Sequence, residues 1–237
     1  MTFPGATALT VLEVYDWIAP DGLRGGSAHV HLASAEGYVV LAGRGRLQTL
    51  GARGYAETGL GPGDCLWFTP GIIHRLVNDG GLRLLVVMAN AGLPEAGDAV
   101  LTFPPEVLAD PAAYAQAATL PAPDPASDSA SASEQAARRR RDLAIEGYLA
   151  LRDAGPGGLD AFYAAAARLV AGRVPQWRER WQAGALGAAM LTGRQLDQIA
   201  AGDAAHLVDG VLRLGGRGAQ SYGMCGRLTR YDDVVSP

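Results

Sequence analysis

Lysine is missing altogether from this 237-residue chain: all 20 basic residues are Arg, set against 24 acids, for a formal net charge of −4. With 32 Gly and an equally obvious surplus of Ala, that one-sided choice reads as a GC-rich coding bias and offers no argument for nucleic-acid binding. Cysteine is scarce as well. Cys65 and Cys225 stand far apart and in no CxxC arrangement, which excludes a disulfide framework and a thiolate metal site and leaves both thiols expected in the reduced state. Long apolar runs are lacking: uncharged stretches such as 183–193 fall well short of the roughly 18 residues a membrane helix needs. No positive residue precedes Arg24 to begin a signal peptide. A cytoplasmic protein without membrane or nucleic-acid partners is therefore expected. Neither a G-x-G-x-x-G after a strand, nor a P-loop, nor a G-x-S-x-G elbow occurs, so nucleotide cradles and hydrolase elbows have no support.

What is present divides in two. The stretch 121–133, made of Pro, Ala, Ser and Asp, has no apolar periodicity and reads as a linker. Residues 1–133 carry 6 Arg and 13 acids (−7), residues 134–237 carry 14 Arg and 11 acids (+3), an asymmetry compatible with the second part docking on the first. Before the linker, short Val-, Leu- and aromatic-rich runs at 10–17, 28–32, 38–41, 47–50, 65–68 and 82–90 alternate with Gly, Pro, Asp and Asn clusters, the pattern of a sandwich or barrel. After it the period becomes helical. A capping box at Ser131–Glu134 predicts a helix to about residue 154, stopped by Gly155-Pro156-Gly157-Gly158. Further helices are expected at 159–171, 176–183 and 193–201, and the tail, with 211–214 and 227–231, can return as a β-hairpin. The predicted domains are thus a barrel at 1–116, a linker at 117–133 and a helical appendage at 134–237.

Of only four histidines, three lie in the first third of the chain. His29-Val30-His31 places two imidazoles on one face of a strand. Glu36 follows a short polar turn that can bring it to that face, and His74 comes from a later strand after Pro70-Gly71. Two nitrogens, a carboxylate and a third nitrogen make a mixed N/O set suited to Fe, Mn, Ni, Cu, Zn or Co. At these residues the chain resembles the cupin superfamily. The first motif of that family is met by His29, His31, Glu36 and Gly43, the second by Gly63, Asp64, Gly71, His74 and Asn78. Two departures are visible: the glycine before the first histidine is displaced to Gly22, and Thr69 with Pro70 stands where the second motif opens its proline turn.

The resemblance covers roughly residues 10–105. It implies a mainly β fold, the double-stranded β-helix or jelly-roll barrel, here with a C-terminal α-helical appendage. It also implies one divalent transition metal, Fe(II) first with Zn, Mn, Ni, Cu or Co as alternatives, and a homodimer. A small oxygenated metabolite is the expected substrate, with dioxygenase-like chemistry the first reading. A redox-neutral isomerase, lyase or cyclase acting on a sugar or organic acid is the second, and a non-catalytic small-ligand sensor the third. Strand parity puts Tyr38 inward with Glu36, where it could donate a proton to substrate. Arg24, just before the metal strand, is a candidate anchor for an anionic substrate, and Gln48, Trp67, Met88 and Asn90 are candidate lining residues of the barrel mouth. The run Arg138–Arg141 reads as a solvated helix face paired with Glu134 and Asp142, and Trp177 and Trp181 as the face of a helix packed on the core.

Overall fold

Strands arise where Val, Leu and aromatic side chains alternate with small or polar ones. A computed structural model describes residues 3–121 and 129–233. Its first part holds β1 (Ala8–Val14), β2 (His29–His31), β3 (Glu36–Gly51), β4 (Gly54–Leu60), β5 (Cys65–Phe68), β6 (Ile73–Met88) and β7 (Ala99–Leu101). Helices α1 (Pro105–Ala109), α2 (Pro111–Ala118), α3 (Ser129–Val170), α4 (Val174–Trp181) and α5 (Gly187–Ala200) follow, and the chain returns as β8 (Gly215–Arg217), β9 (Ser221–Tyr222) and β10 (Gly226–Asp233). The expected mainly β architecture with a helical appendage is the one observed.

The antiparallel sheet runs β4-β3-β6-β1-β10-β8, with β2 pairing β6 and β7, β5 pairing β3, and β9 pairing β10. The long strands β3 and β6 stay in register at both ends and slip between Val40 and Gly45. There Gly43 adopts φ +75° and packs so tightly that a Cβ would lie 2.1 Å from the Gly81 carbonyl oxygen; only glycine fits. That slip bends β3 while keeping Glu36, Tyr38 and Val40 buried on one face.

The tail joins the barrel. β10 lies beside β1, with Thr10 opposite Arg230 and Leu12 opposite Leu228, so the sheet unites what a boundary at residue 134 separates. Its partners are β9 and β8, whereas Val211, Leu212 and Leu214, expected as the other arm of a hairpin, are exposed and outside any strand. Of the expected linker, residues 122–128 lie outside the described residues, 117 and 118 end α2, and α3 has begun by Ser129, ahead of the expected cap. The Gly155-Pro156-Gly157-Gly158 stop is a bend: Gly155 alone leaves the helical conformation and α3 resumes to Val170.

Helices and sheet share one apolar core. Ile145, Tyr148, Phe162 and Ala166 of α3 pack with Val30, Ile73, Val100, Leu101 and Phe103 beneath the sheet, while a second cluster, including Leu12, Tyr38, Leu84, Met88 and Cys225, fills the barrel. The arginine run is not a solvated face. Arg138 pairs with Glu134 at 2.7 Å and covers the Trp17 ring, but Arg141 is 1% exposed and donates to the carbonyls of Trp17, Gly25 and Ile18. Arg140 is buried too. A loop whose carbonyls lack strand partners meets guanidinium donors instead. Trp177 is buried as expected, donating to the Ala96 carbonyl at 3.1 Å, whereas Trp181 remains partly exposed.

Candidate metal centre

Strand pairing assembles the centre. His29 of β2 stands opposite His74 of β6, His31 follows on the same face of β2, and Glu36 opens β3 opposite Met88 of β6. One ligand atom from each of His29, His31, Glu36 and His74 lies within 4.8 Å of the other three, and all four residues are buried. The imidazoles are oriented from behind. Nδ1 of His29 faces the Ser27 carbonyl at 3.3 Å, that of His74 the Ile72 carbonyl at 3.1 Å, and that of His31 the Asp98 carboxylate at 3.2 Å. Each Nε2 is thereby left for the centre.

Glu36 Oε2 approaches His74 Nε2 at 3.1 Å and His31 Nε2 at 3.4 Å. Neither Glu36 Oε2 nor His74 Nε2 has a hydrogen-bond partner, although both are buried. Unpartnered buried polar atoms are costly, and an ion among these donors would satisfy both. The donor set therefore fits a divalent cation bound by nitrogen and carboxylate oxygen. Burial drives the His29 pKa well down, and the adjacent His74 and His31 push the same way. Burial also disfavours the Glu36 carboxylate, but the two imidazoles outweigh it and hold its pKa well below the ordinary value. For His31 the Asp98 and Glu36 carboxylates overcome burial and raise the pKa to about 9; a bound cation would take the place of that proton.

The centre opens into a cavity of about 280 Å³. His29, His31, Glu36 and Met88 line it together with residues the sequence did not mark: Leu12 and Val86 of the sheet, Arg140 of α3, and Tyr222, Met224, Cys225, Leu228 and Arg230 of the tail. No local motif flags the tail residues, because they reach the cavity through the pairing of β10 with β1.

Among the expected site residues only Met88 joins the ligands at this cavity. Tyr38 lies behind them, 1% exposed, with its hydroxyl unpartnered; burial, reinforced by the Glu36 charge, keeps that hydroxyl protonated. The other four are elsewhere. Arg24 is exposed and donates to the Asp16 carbonyl at 2.6 Å. Gln48 is buried on the far side of the bulge, donating to Glu57 at 2.8 Å, since the slip in β3 changes which residues face inward. Trp67 is 77% exposed on the outer face. Asn90 turns the chain with φ +55° and donates to the Ala33 carbonyl at 3.0 Å.

Residues 17–88 match the family model described as Cupin domain. No curated protein matches the chain. Solved structures similar to it include an uncharacterized conserved protein with a double-stranded β-helix domain from Klebsiella pneumoniae, 20% identical over 35% of this chain and 66% of that one, TM-score 0.29. A cupin protein from Bacteroides fragilis is 22% identical over 36% and 65%, TM-score 0.27. A predicted oxalate decarboxylase from Thermotoga maritima is 22% identical over 35% and 64%, TM-score 0.27. The match thus spans under two thirds of the length of each of those proteins. With the two motifs in order and the family match spanning His29, His31, Glu36 and His74, residues 17–88 form a cupin domain.

Proposed function

We propose that this protein is a metal-dependent enzyme of dioxygenase type, acting on a small oxygenated metabolite at a centre of three His and one Glu. The observation that carries the reading is the convergence of His29, His31, Glu36 and His74, the first three of which line a cavity of small-molecule size. A metal bound there would supply Lewis acidity and, if it is iron, access to dioxygen. The chain's own residues do the rest. Asp98 fixes the orientation of His31, Met88, Leu12 and Val86 exclude water from one wall, and Tyr38 keeps a protonated hydroxyl behind Glu36.

The test is elemental analysis of the purified protein, followed by oxygen uptake across a panel of small hydroxy- and keto-acids and sugars. Iron near one per chain and substrate-dependent oxygen uptake are expected, with His31→Ala and Glu36→Ala losing the metal. Stoichiometric zinc with turnover but no oxygen uptake would replace the dioxygenase with a redox-neutral enzyme, and full metal retention in both variants would refute the centre itself.

A further inference from the structure

Among the described residues, Arg140 is a buried cation without a countercharge. It is 9% exposed, donates to the carbonyls of Ala118 at 3.2 Å and Gly223 at 2.6 Å, and leaves Nε without a partner. Among the described residues no carboxylate pairs with it. Its electrostatic neighbours are Tyr15, Tyr114 and Cys225, none of them a carboxylate. A guanidinium does not deprotonate in proteins, and an uncompensated buried ion is costly. Arg140 nevertheless lines the same cavity as His29, His31 and Glu36, besides a second one between α2 and α3. Cys225 lines the cavity of the histidines as well, its sulfur 3.8 Å from His29 Nδ1. Arg230, the other cation of this cavity, differs: it is about half exposed and has the Glu95 carboxylate 4.0 Å away.

We propose that Arg140 is the anion anchor of the metal cavity, so that the substrate is a small organic anion whose carboxylate or phosphoryl oxygens pair with the guanidinium while its other oxygens face the metal ligands. This rests on the reading of the four-residue centre given above. Only two of the five N–H donors are engaged by carbonyls, which leaves a fork suited to an oxyanion. The apolar remainder of the wall, Leu12, Val86, Met88, Met224 and Leu228, fits a short carbon skeleton between two polar ends.

The experiment uses the full chain loaded with zinc, metal content being measured first, and compares acetate, succinate and phosphonoacetate by calorimetry. Succinate is expected to bind at least about tenfold more tightly than acetate, since one added charge-assisted contact of about 1.4 kcal/mol has that effect. The same gain for phosphonoacetate would mean that the anchor takes phosphoryl groups too. Arg140→Met is expected to abolish the gain while leaving zinc content unchanged. Arg140→Lys, which keeps the charge and serves if the Met variant does not fold, is expected to reduce the gain at least threefold. Bound zinc with no gain in the unaltered protein, an undiminished gain in either Arg140 variant, or loss of the gain in Arg230→Gln instead would overturn the anchor and leave the metal centre standing. A chain that binds no zinc would overturn both.

Discussion

Asp98 does two jobs with one carboxylate: Oδ2 meets His31 Nδ1 at 3.2 Å, while Oδ1 accepts the amides of Leu32 at 3.1 Å and Ala33 at 2.6 Å. It thus ties the orientation of a metal ligand to the turn leading to Glu36. Asp98→Asn keeps the shape and removes the charge, and outer-shell changes of this kind weaken metal binding by about 10- to 100-fold. Zinc competition against a chelator is expected to show that loss with little change in thermal midpoint; unaltered zinc affinity would leave Asp98 a turn residue only. At this scale the sequence was informative where chemistry is local. The spacing of His29 and His31 fixes a shared face by strand alternation alone. Asp98 gave no such signal, because its partner is 67 residues away. Arg140 and Arg141 misled, since spacing from Glu134 and Asp142 describes an isolated helix and takes no account of the carbonyls of Trp17, Ile18 and Gly25 that α3 meets on folding.

Among the elements, β1 lies between neighbours that are far apart in the sequence, β6 on one side and β10 on the other. The contact is intimate at Gly226, where a Cβ would fall 2.0 Å from the Glu13 carbonyl oxygen. Gly226→Val is therefore expected to detach the start of β10, costing about 2–3 kcal/mol in denaturant unfolding and exposing the tail to limited proteolysis. A variant with an unchanged midpoint would mean that β10 contributes nothing to the sheet. Before the linker, β1, β2, β5 and parts of β3 and β6 were readable from apolar runs bounded by Gly- or Pro-rich turns, whereas β4, nearly all exposed, and the three-residue β7 were not. Nor was the place of β10. Arg227-Leu228-Thr229-Arg230-Tyr231 alternates like any exposed strand, and nothing in it names β1 as its partner. The Gly-Pro-Gly-Gly segment marked a change of direction in α3, but whether a helix ends or bends there depends on the core that receives Phe162 and Ala166.

For the whole molecule, the helical part cannot be an independent appendage, since Ile145 and Tyr148 are fully buried against Val30, Val100 and Leu101 of the sheet. Each such side chain returned to water costs about 1.5–3 kcal/mol, and a domain's total stability is only about 5–15 kcal/mol. A chain truncated after Leu120 is accordingly expected to lose its cooperative thermal transition, and with it zinc binding. A sharp melt for that fragment, read by circular dichroism, would show that the barrel stands alone. The pairing of Thr10 with Arg230 also has a bearing on biosynthesis. All four candidate ligands have been synthesised by residue 74, yet the wall carrying Tyr222, Met224 and Cys225 follows much later in the chain. Closing so long a loop is entropically slow compared with forming a hairpin. Until β10 pairs with β1 the histidines stand on an unfinished sheet, and the cavity lacks the wall that the tail supplies.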